Sequence, residues 1–301
     1  MTLYNHSDKN KRKTWFLLSS FLIFVIGVAY VFSIAMGDPV IVYVAVFFSI
    51  FSAIISYWFS DKIVLSMSNA HEIKFEDNKE LFRMVENLCI SVGIPMPRIY
   101  MIKDPAPNAF ATGRNPKNGV IALTTGLLDR LEKSEVEAVI AHELSHIRNY
   151  DILIATLATI LVGFIVILSD FFVRMAFYRS GRSSSDNDNG GKLKLIMIIV
   201  AIAFSILAPI FAYMLQFAIS RKREFLADAD AALMTRYPDA LASALEKISV
   251  DPREVKSVNR ATAHLYISAP LKGKKGAFFA KAFMTHPPIE ERVKALRGMK
   301  I

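Results

Sequence analysis

The sequence predicts a mainly α-helical integral membrane protein with four transmembrane helices and a polar α+β domain. Apolar residues make up 53% of the 301 residues, which is more than an ordinary soluble chain of this length carries. They are concentrated in four uncharged runs, and charged residues fill the stretch between the second and third runs and the stretch after the fourth. We therefore expect two membrane hairpins and one polar domain that is divided between two stretches of chain.

The N-terminal tail and the first hairpin take up residues 1–60. The apolar runs 15–35 and 40–59 are each long enough to cross a hydrocarbon core of roughly 30 Å. A signal peptide is the alternative, but its apolar segment is only about 7–15 residues long and no second run follows it at once. Basic residues precede the first run and are absent from the turn, which predicts a cytoplasmic N-terminus and a return to the cytoplasm near Asp61. These residues are Lys9, Lys11, Arg12 and Lys13.

Residues 61–151 are expected to form the first part of the polar domain. Apolar residues at helical spacing predict a helix over 81–92, which Gly93 ends. The short runs 98–102 and 119–124 are separated by a stretch rich in proline and glycine, and they predict two strands.

Charge and cysteine content exclude two further classes of protein. The net charge of +9 does not predict nucleic-acid binding, because the cations are scattered around apolar runs instead of lying on one element with stacking aromatics. Attraction to an anionic membrane surface explains the charge better. The single cysteine, Cys89, excludes an internal disulfide and is expected to be a buried apolar side chain.

A predicted helix carries His142, Glu143 and His146 in the pattern His-Glu-x-x-His. Neither Gly nor Pro interrupts its flanks, and Ser134 with Glu137 predicts a capping box at its start. Residues four apart lie one turn apart on the same helical face, so both imidazoles can bind one metal ion. Zinc is the expected ion, and Glu143 is placed to act as general base toward a water molecule.

Residues 152–220 are expected to form the second hairpin. The runs 152–168 and 195–218 are uncharged, and a loop rich in Ser, Asn and Asp at 180–191 lies between them. Two spans return the chain to the side from which it came, so that both parts of the polar domain can share one metal. Five cations in and beside the loop oppose the positive-inside tendency. A re-entrant hairpin that does not cross the membrane therefore stays open as an alternative.

The second part of the polar domain, residues 221–301, offers a third zinc ligand. Glu224 is the leading candidate, because a carboxylate commonly completes a catalytic site with two imidazoles. Asp228 follows one turn later on the same helical face, where a carboxylate can accept the spare N–H of a ligating imidazole. The spacing alone leaves open that both acids merely balance Arg221 and Arg223.

Four motifs occur in order among the four apolar runs. They are Asn108-Ala109-Phe110-Ala111-Thr112-Gly113, His142-Glu143-Leu144-Ser145-His146, Glu224 to Asp228, and Thr285-His286-Pro287-Pro288. Together they resemble the HtpX membrane metalloproteases, relatives of the CAAX prenyl endopeptidases, over nearly the whole chain. The resemblance implies a gluzincin-like zinc endopeptidase of the bacterial cytoplasmic membrane, with one Zn²⁺ per chain and an active site that faces the cytoplasm.

The same resemblance assigns residue roles and partners. It implies Glu224 as the third ligand, Asp228 as the residue that orients an imidazole, and His286 as a donor to the oxyanion. From the residues alone, His286 is more simply an entry residue of the amphipathic helix 289–297. Quality control of membrane proteins is the implied activity, so the expected partners are membrane proteins, unfolded polypeptides and the lipid bilayer, and not nucleic acid. A homo-oligomer and further quality-control partners stay open.

The expected reaction is hydrolysis of a peptide bond by water whose pKa the metal lowers toward about 7, with Glu143 as the proton acceptor. An extended substrate is expected to pair with the edge of a strand, along 119–124 or along Asn108, Ala109, Phe110, Ala111 and Thr112. Two rivals stay open. A prenyl-protein endopeptidase needs a lipid chamber, for which four apolar runs are few, and a structural zinc site usually has four protein ligands and no general base.

Overall fold

The computed structural model describes residues 3–36, 38–157, 160–161, 221–256, 262–268 and 287–300. The predicted second hairpin and its loop lie almost entirely outside these residues, and His286 lies outside them as well. The fold described below therefore comprises the first hairpin and most of the polar domain.

As predicted, the chain begins with two helices that are long and apolar enough to cross a membrane. Helix α1 spans Leu3–Met36 and helix α2 spans Val40–Met67. The segments that meet the length and hydropathy of a membrane span are Asn10–Val31 and Val40–Met67. The two helices pack against each other and expose many large apolar side chains, as expected of helices whose outer faces contact lipid.

Helix α2 continues past the predicted run into the polar domain. Val64 packs in a core cluster with Phe110 of the sheet, and Asp61 forms an ion pair with Arg98. The predicted domain border at residue 61 therefore falls inside one continuous helix.

Helix α3 spans Lys79–Val92 and ends as the sequence predicts. The Leu81 amide donates to Asn78 Oδ1 at 3.0 Å, which caps the start of the helix. Gly93 has a φ of +69°, the left-handed conformation that glycine adopts without steric cost at a helix end. Cys89 is buried as expected, and burial together with the charge of Glu86 raises the pKa of its thiol to about 11.

A four-stranded sheet lies between α2 and the helices that follow. Its strands are β1 (Ala70–Glu72), β2 (Arg98–Ile102), β3 (Ala109–Thr112) and β4 (Val120–Thr124). Their order across the sheet is β1-β2-β4-β3, in which β2 and β4 are parallel and the two outer pairs are antiparallel. All residues of β4 are buried, as expected of an interior strand. Strand β3 is the last strand of this sheet among the described residues, although its residues are buried as well.

Helix α5 is the central element of the polar domain. The helices here are α4 (Thr125–Arg130), α5 (Lys133–Arg148), α6 (Arg221–Thr235), α7 (Pro238–Val250) and α8 (Ile289–Arg297). Helix α5 contacts β3, α3, α6 and α7, and residues 138–145 are all buried. A helix that is covered on every side can hold a site away from bulk water.

The predicted capping box at Ser134 and Glu137 is wrong, because α5 begins before Ser134. The Glu132 amide donates to Glu135 Oε2 at 2.8 Å, so Glu135 takes the place expected for Glu137. Lys247 of α7 lies 2.7 Å from Glu135 Oε1 and helps to hold that carboxylate. The sequence pattern favoured a hydroxyl residue at the cap, whereas the contact from α7 comes from a distant part of the chain.

Candidate metal centre

Two imidazoles of α5 face each other inside the polar domain. The rings of His142 and His146 have centroids 4.7 Å apart and planes at 89°, and their Nε2 atoms are 3.2 Å apart. The side chain of His142 is 1% exposed and that of His146 is 15% exposed. His146 is therefore the more exposed member of the pair.

Helix α6 brings Glu224 to the same point. Its Oε2 lies 3.7 Å from His142 Nε2 and its Oε1 lies 3.5 Å from His146 Nε2. Ligands bound to a tetrahedral zinc ion at about 2.0–2.2 Å are separated from each other by roughly 3.3–3.5 Å. The spacing of the three side chains is thus compatible with their holding one metal ion.

The outer nitrogen of His142 contacts Asp228, one turn after Glu224 on α6. His142 Nδ1 lies 3.0 Å from Asp228 Oδ1, at hydrogen-bond distance although the ring is not aligned for a straight bond. Arg292 of α8 holds the same carboxylate, because its Nη2 and Nε donate to Asp228 Oδ1 and Oδ2 at 2.6 and 2.8 Å. A fixed carboxylate behind an imidazole orients the ring so that Nε2 faces the metal.

Asp151 takes the corresponding place behind His146. Its Oδ2 lies 3.1 Å from His146 Nδ1, and Arg223 Nη1 donates to its Oδ1 at 2.9 Å. Burial raises the pKa of the Asp151 carboxyl group, but the hydrogen bonds and positive charges of His146 and Arg223 outweigh it. They hold the pKa of Asp151 below its usual value. Asp151 is therefore an anion that can accept the N–H of His146.

These surroundings shift the pKa of the two imidazoles in opposite directions. Burial lowers the pKa of His142 to about 4, and the charge of Arg292 acts in the same direction. Burial also disfavours the charged form of His146, but the Asp151 hydrogen bond and the charge of Glu224 outweigh it and raise the pKa to about 9. His142 is therefore already neutral at pH 7, whereas His146 must lose a proton when a metal binds.

Glu143 is buried beside the two imidazoles, with 2% of its surface exposed. Its negative charge contributes to the raised pKa of His146 and of Arg292. The carboxylate therefore acts electrostatically on His146 and on Arg292.

A hydrogen-bonded clamp keeps α5 and α6 in register. Ser145 Oγ donates to Asp230 Oδ2 at 2.7 Å, and Asn149 Nδ2 donates to the same oxygen at 3.2 Å. The clamp lies on the same two helices that supply all three proposed ligands. It therefore fixes the distance between Glu224 and the imidazoles.

The predicted substrate strand lies at the edge of the sheet. The Thr124 amide donates to the carbonyl oxygen of Asn108 at 3.0 Å, and hydrogen-bonded pairs alternate along an antiparallel ladder. Ala109 and Ala111 therefore direct their backbone groups away from β4. The Ile267 amide already donates to the carbonyl oxygen of Ala109 at 2.9 Å. Of the two runs considered, 119–124 is wrong as an edge because β4 is interior, and the edge belongs to β3.

The sequence profile of peptidase family M48 matches residues 76–300, which include both histidines, Glu224 and Arg292. The chain belongs to peptidase family M48. Its M48 region starts just before α3 and ends after α8, so the helices and strands that build the candidate centre all lie within it.

Three relatives match over nearly their whole length, and each is named protease HtpX homolog. That of Dictyoglomus thermophilum is 46% identical over 302 residues, covering 99% of this chain and 95% of the relative. That of Listeria monocytogenes is 44% identical over 305 residues, covering 99% and 100%. That of Tropheryma whipplei is 41% identical over 297 residues, covering 99% and 98%. The resemblance to the HtpX proteases is confirmed, and this M48 chain is a membrane-bound metalloprotease.

A crystal structure of S. mikatae Ste24p has a similar fold. The TM-score is 0.51 at 21% sequence identity, and the similarity covers 94% of this chain and 66% of that chain. At this identity the likeness shows the fold of the M48 peptidase and not its substrates.

Sequence reasoning missed three charged residues of this M48 centre. Asp151 follows the motif helix directly and was counted with the end of the polar stretch. Arg223 was considered only as a balance for Glu224 and Asp228, and it pairs with Asp151 instead. Arg292 could have been found from the sequence, because it lies four residues before Leu296 and therefore on the apolar face of α8. In the structure both side chains are fully buried.

Proposed function

We propose that the chain is a zinc-dependent endopeptidase that cleaves membrane proteins and unfolded polypeptides in quality control at the bacterial cytoplasmic membrane. The observation that carries the proposal is the spacing of His142, His146 and Glu224, whose ligand atoms all lie within 4.8 Å of one another. Three protein ligands leave a fourth position for water or substrate, as in catalytic zinc sites. Membership of family M48 supports the same conclusion.

The zinc ion, when bound, would polarise the scissile carbonyl and lower the pKa of water. Glu143 would accept a proton from the attacking water and pass it to the leaving amine. Asp228 and Asp151 would keep the two imidazoles in their ligating orientation. His286 is proposed, from the family resemblance, as a hydrogen-bond donor to the developing oxyanion.

The edge of β3 is proposed to bind the substrate backbone. Ala111 directs its N–H and C=O away from β4, whereas the carbonyl oxygen of Ala109 already accepts a hydrogen bond from the Ile267 amide of the same chain. Pairing with Asn108 to Thr112 would hold an extended peptide without selecting its side chains, which suits a protease of unfolded substrates. Helix α5, which carries Glu143, contacts the same strand.

The membrane arrangement is proposed to follow the sequence prediction. Four spans would place the N-terminus, residues 61–151 and residues 221–301 in the cytoplasm. The described first hairpin supports this, because α2 continues directly from its apolar segment into the core of the polar domain. Association with a second copy, or with other quality-control proteins, stays a prediction of the resemblance.

Substitution of Glu143→Gln tests the proposed reaction. The ligands remain, so purified protein should keep one zinc per chain, while casein hydrolysis should fall by about 100-fold or more because the proton acceptor is lost. Glu137→Gln, on the same helix and away from the metal ligands, is the matched control and should cleave like the wild type. Residual cleavage by Glu143→Gln above roughly a tenth of the wild-type rate would exclude the general-base role.

A further inference from the structure

A short turn after α5 carries Asp151 to the metal centre. Tyr150 has a left-handed backbone with a φ of +59°, and a new helical segment starts at residue 151. This reversal returns the Asp151 carboxylate to His146 of the preceding helix. Its Oδ1 accepts two hydrogen bonds, from Arg223 Nη1 at 2.9 Å and from Asn10 Nδ2 at 2.7 Å.

Asn10 belongs to α1, the first of the two helices of membrane-spanning length. It is 4% exposed, and its Nδ2 also donates to the carbonyl oxygen of Asn149 at 2.9 Å. Its neighbour Lys11 places Nζ 4.7 Å from the centroid of the Tyr150 ring. Two consecutive residues of α1 therefore contact the turn at residues 149–151.

We propose that Asn10 and Asp151 are positioning residues of the metal centre, so that the start of the first membrane helix helps to hold His146 in its ligating orientation. This inference rests on the proposed function, because it concerns the same metal site. A carboxylate that accepts an imidazole N–H fixes which nitrogen carries the proton and where the other nitrogen points. Asp151 fixes His146 in this way only while its own carboxylate is fixed.

The centre holds its other imidazole by the same arrangement, which supports a functional rather than a packing role. The His142 imidazole contacts the Asp228 carboxylate, which forms an ion pair with Arg292. The His146 imidazole contacts the Asp151 carboxylate, which forms an ion pair with Arg223. The second chain of contacts is extended by Asn10, whose burial would cost free energy without a partner for its amide.

The test uses the full-length, zinc-loaded protein in detergent and measures zinc release to a chromogenic chelator. Asn10→Leu removes the donor, and Asn10→Asp keeps the shape but places a second carboxylate beside Asp151. Both should weaken zinc binding by roughly tenfold, and Asp151→Asn should weaken it by about 10–100-fold, the range for residues that orient metal ligands. The absorption bands of cobalt-loaded protein should shift in all three variants, because they report the geometry of the ligands.

Thr14→Val is the matched control. Thr14 is buried one turn after Asn10, and its Oγ1 donates within α1 to the carbonyl oxygen of Asn10 at 2.9 Å. It should release zinc at the wild-type rate. The inference would be overturned if both Asn10 variants released zinc at the wild-type rate and showed the wild-type cobalt spectrum. It would also be overturned if Thr14→Val had an equal effect, because this would indicate a general loosening of α1.

Zinc retention separates this inference from the proposed function. A wild-type protein that binds zinc but cleaves no polypeptide would refute the proposed function and leave the Asn10 result valid. Normal proteolysis by the wild type, with unchanged zinc release in the Asn10 and Asp151 variants, would refute only the inference.

Discussion

Glu224 and Asp228 lie one helical turn apart on α6 and face different atoms of the centre. Glu224 directs both oxygens toward the Nε2 atoms of the imidazoles, whereas Asp228 faces the outer nitrogen of His142. The Arg292 guanidinium lies near both carboxylates, 2.6 Å from Asp228 Oδ1 and 3.6 Å from Glu224 Oε2. Glu224 is therefore assigned as a proposed ligand, and Asp228 as the residue that orients one. Their substitutions should differ in a measurable way.

Glu224→Ala leaves two protein ligands, so bound zinc should fall sharply and excess zinc should restore little casein hydrolysis. Asp228→Asn leaves the ligands in place, so zinc affinity or activity should fall by about 10–100-fold, and excess zinc should restore much of the activity. Asparagine is preferred to alanine at this position because its amide oxygen can still accept a hydrogen bond from the buried Arg292 guanidinium, which donates to Asp228 in the wild type. Zinc content, measured by atomic absorption, is compared with Glu290→Gln, an exposed acid on α8. Stoichiometric, tightly bound zinc in Glu224→Ala would show that the third ligand is another residue.

At the scale of elements, Glu135 connects α5 to α7. Burial opposes ionisation of this carboxylate, but hydrogen bonds from Lys247, Ser243 and the Glu132 amide outweigh it and hold the pKa of Glu135 below its usual value. A lowered pKa in the folded state means that the ionised carboxylate stabilises the fold above the unfolded-state pKa of about 4.3. This stabilisation is lost as the pH falls through the lower pKa of the folded state.

Glu135→Gln should therefore lower the free energy of unfolding at pH 7 by about 1–3 kcal/mol, the usual range for hydrogen bonds to a buried charged group. The difference from the wild type should shrink as the pH falls below about 4. Urea unfolding of metal-free protein, followed by circular dichroism, measures both effects, and Glu137→Gln on the same helix is the control. A difference that grows in acid would contradict the assigned direction of the pKa shift.

Helix α2 connects the membrane segment to the sheet without a break. The helix runs from Val40 to Met67, and its last turns pack under Phe110 of β3. The polar domain is therefore fixed to one end of the first hairpin, close to the membrane surface.

Cysteine labelling of intact cells tests the proposed topology. Cys89→Ser removes the native thiol, and single cysteines at exposed Lys117 and at Asp186 report on the polar domain and on the loop between the last two apolar runs. With four spans, an impermeant maleimide should label position 186 from outside and leave position 117 unlabelled until the cells are opened. Labelling of position 117 from outside would refute a cytoplasmic polar domain, and an unlabelled position 186 would indicate a re-entrant second hairpin.

Features that depend on neighbouring residues could be predicted from the amino-acid sequence. The spacing of apolar residues predicted the first two long helices, α3 with its end at Gly93, and the strands β2 and β4. These elements can be predicted because the repeat of a helix or a strand involves residues that are close together in the sequence. The spacing of His142 and His146 likewise implied a shared helical face. The capping box of α5 was predicted at Ser134 and Glu137, whereas Glu132 and Glu135 form it and Lys247 of α7 donates to Glu135.

The tertiary structure alone decided which groups surround the two imidazoles. Arg292 lies 150 positions from His142, and Asn10 lies 141 positions from Asp151, so no local pattern relates them. It also decided that β3, and not β4, lies at the edge of the sheet, since strand order depends on pairing between distant segments. The physical reason is that buried polar and charged groups, including the backbone groups of a strand, are stable only with partners, and folding brings these partners from distant parts of the chain.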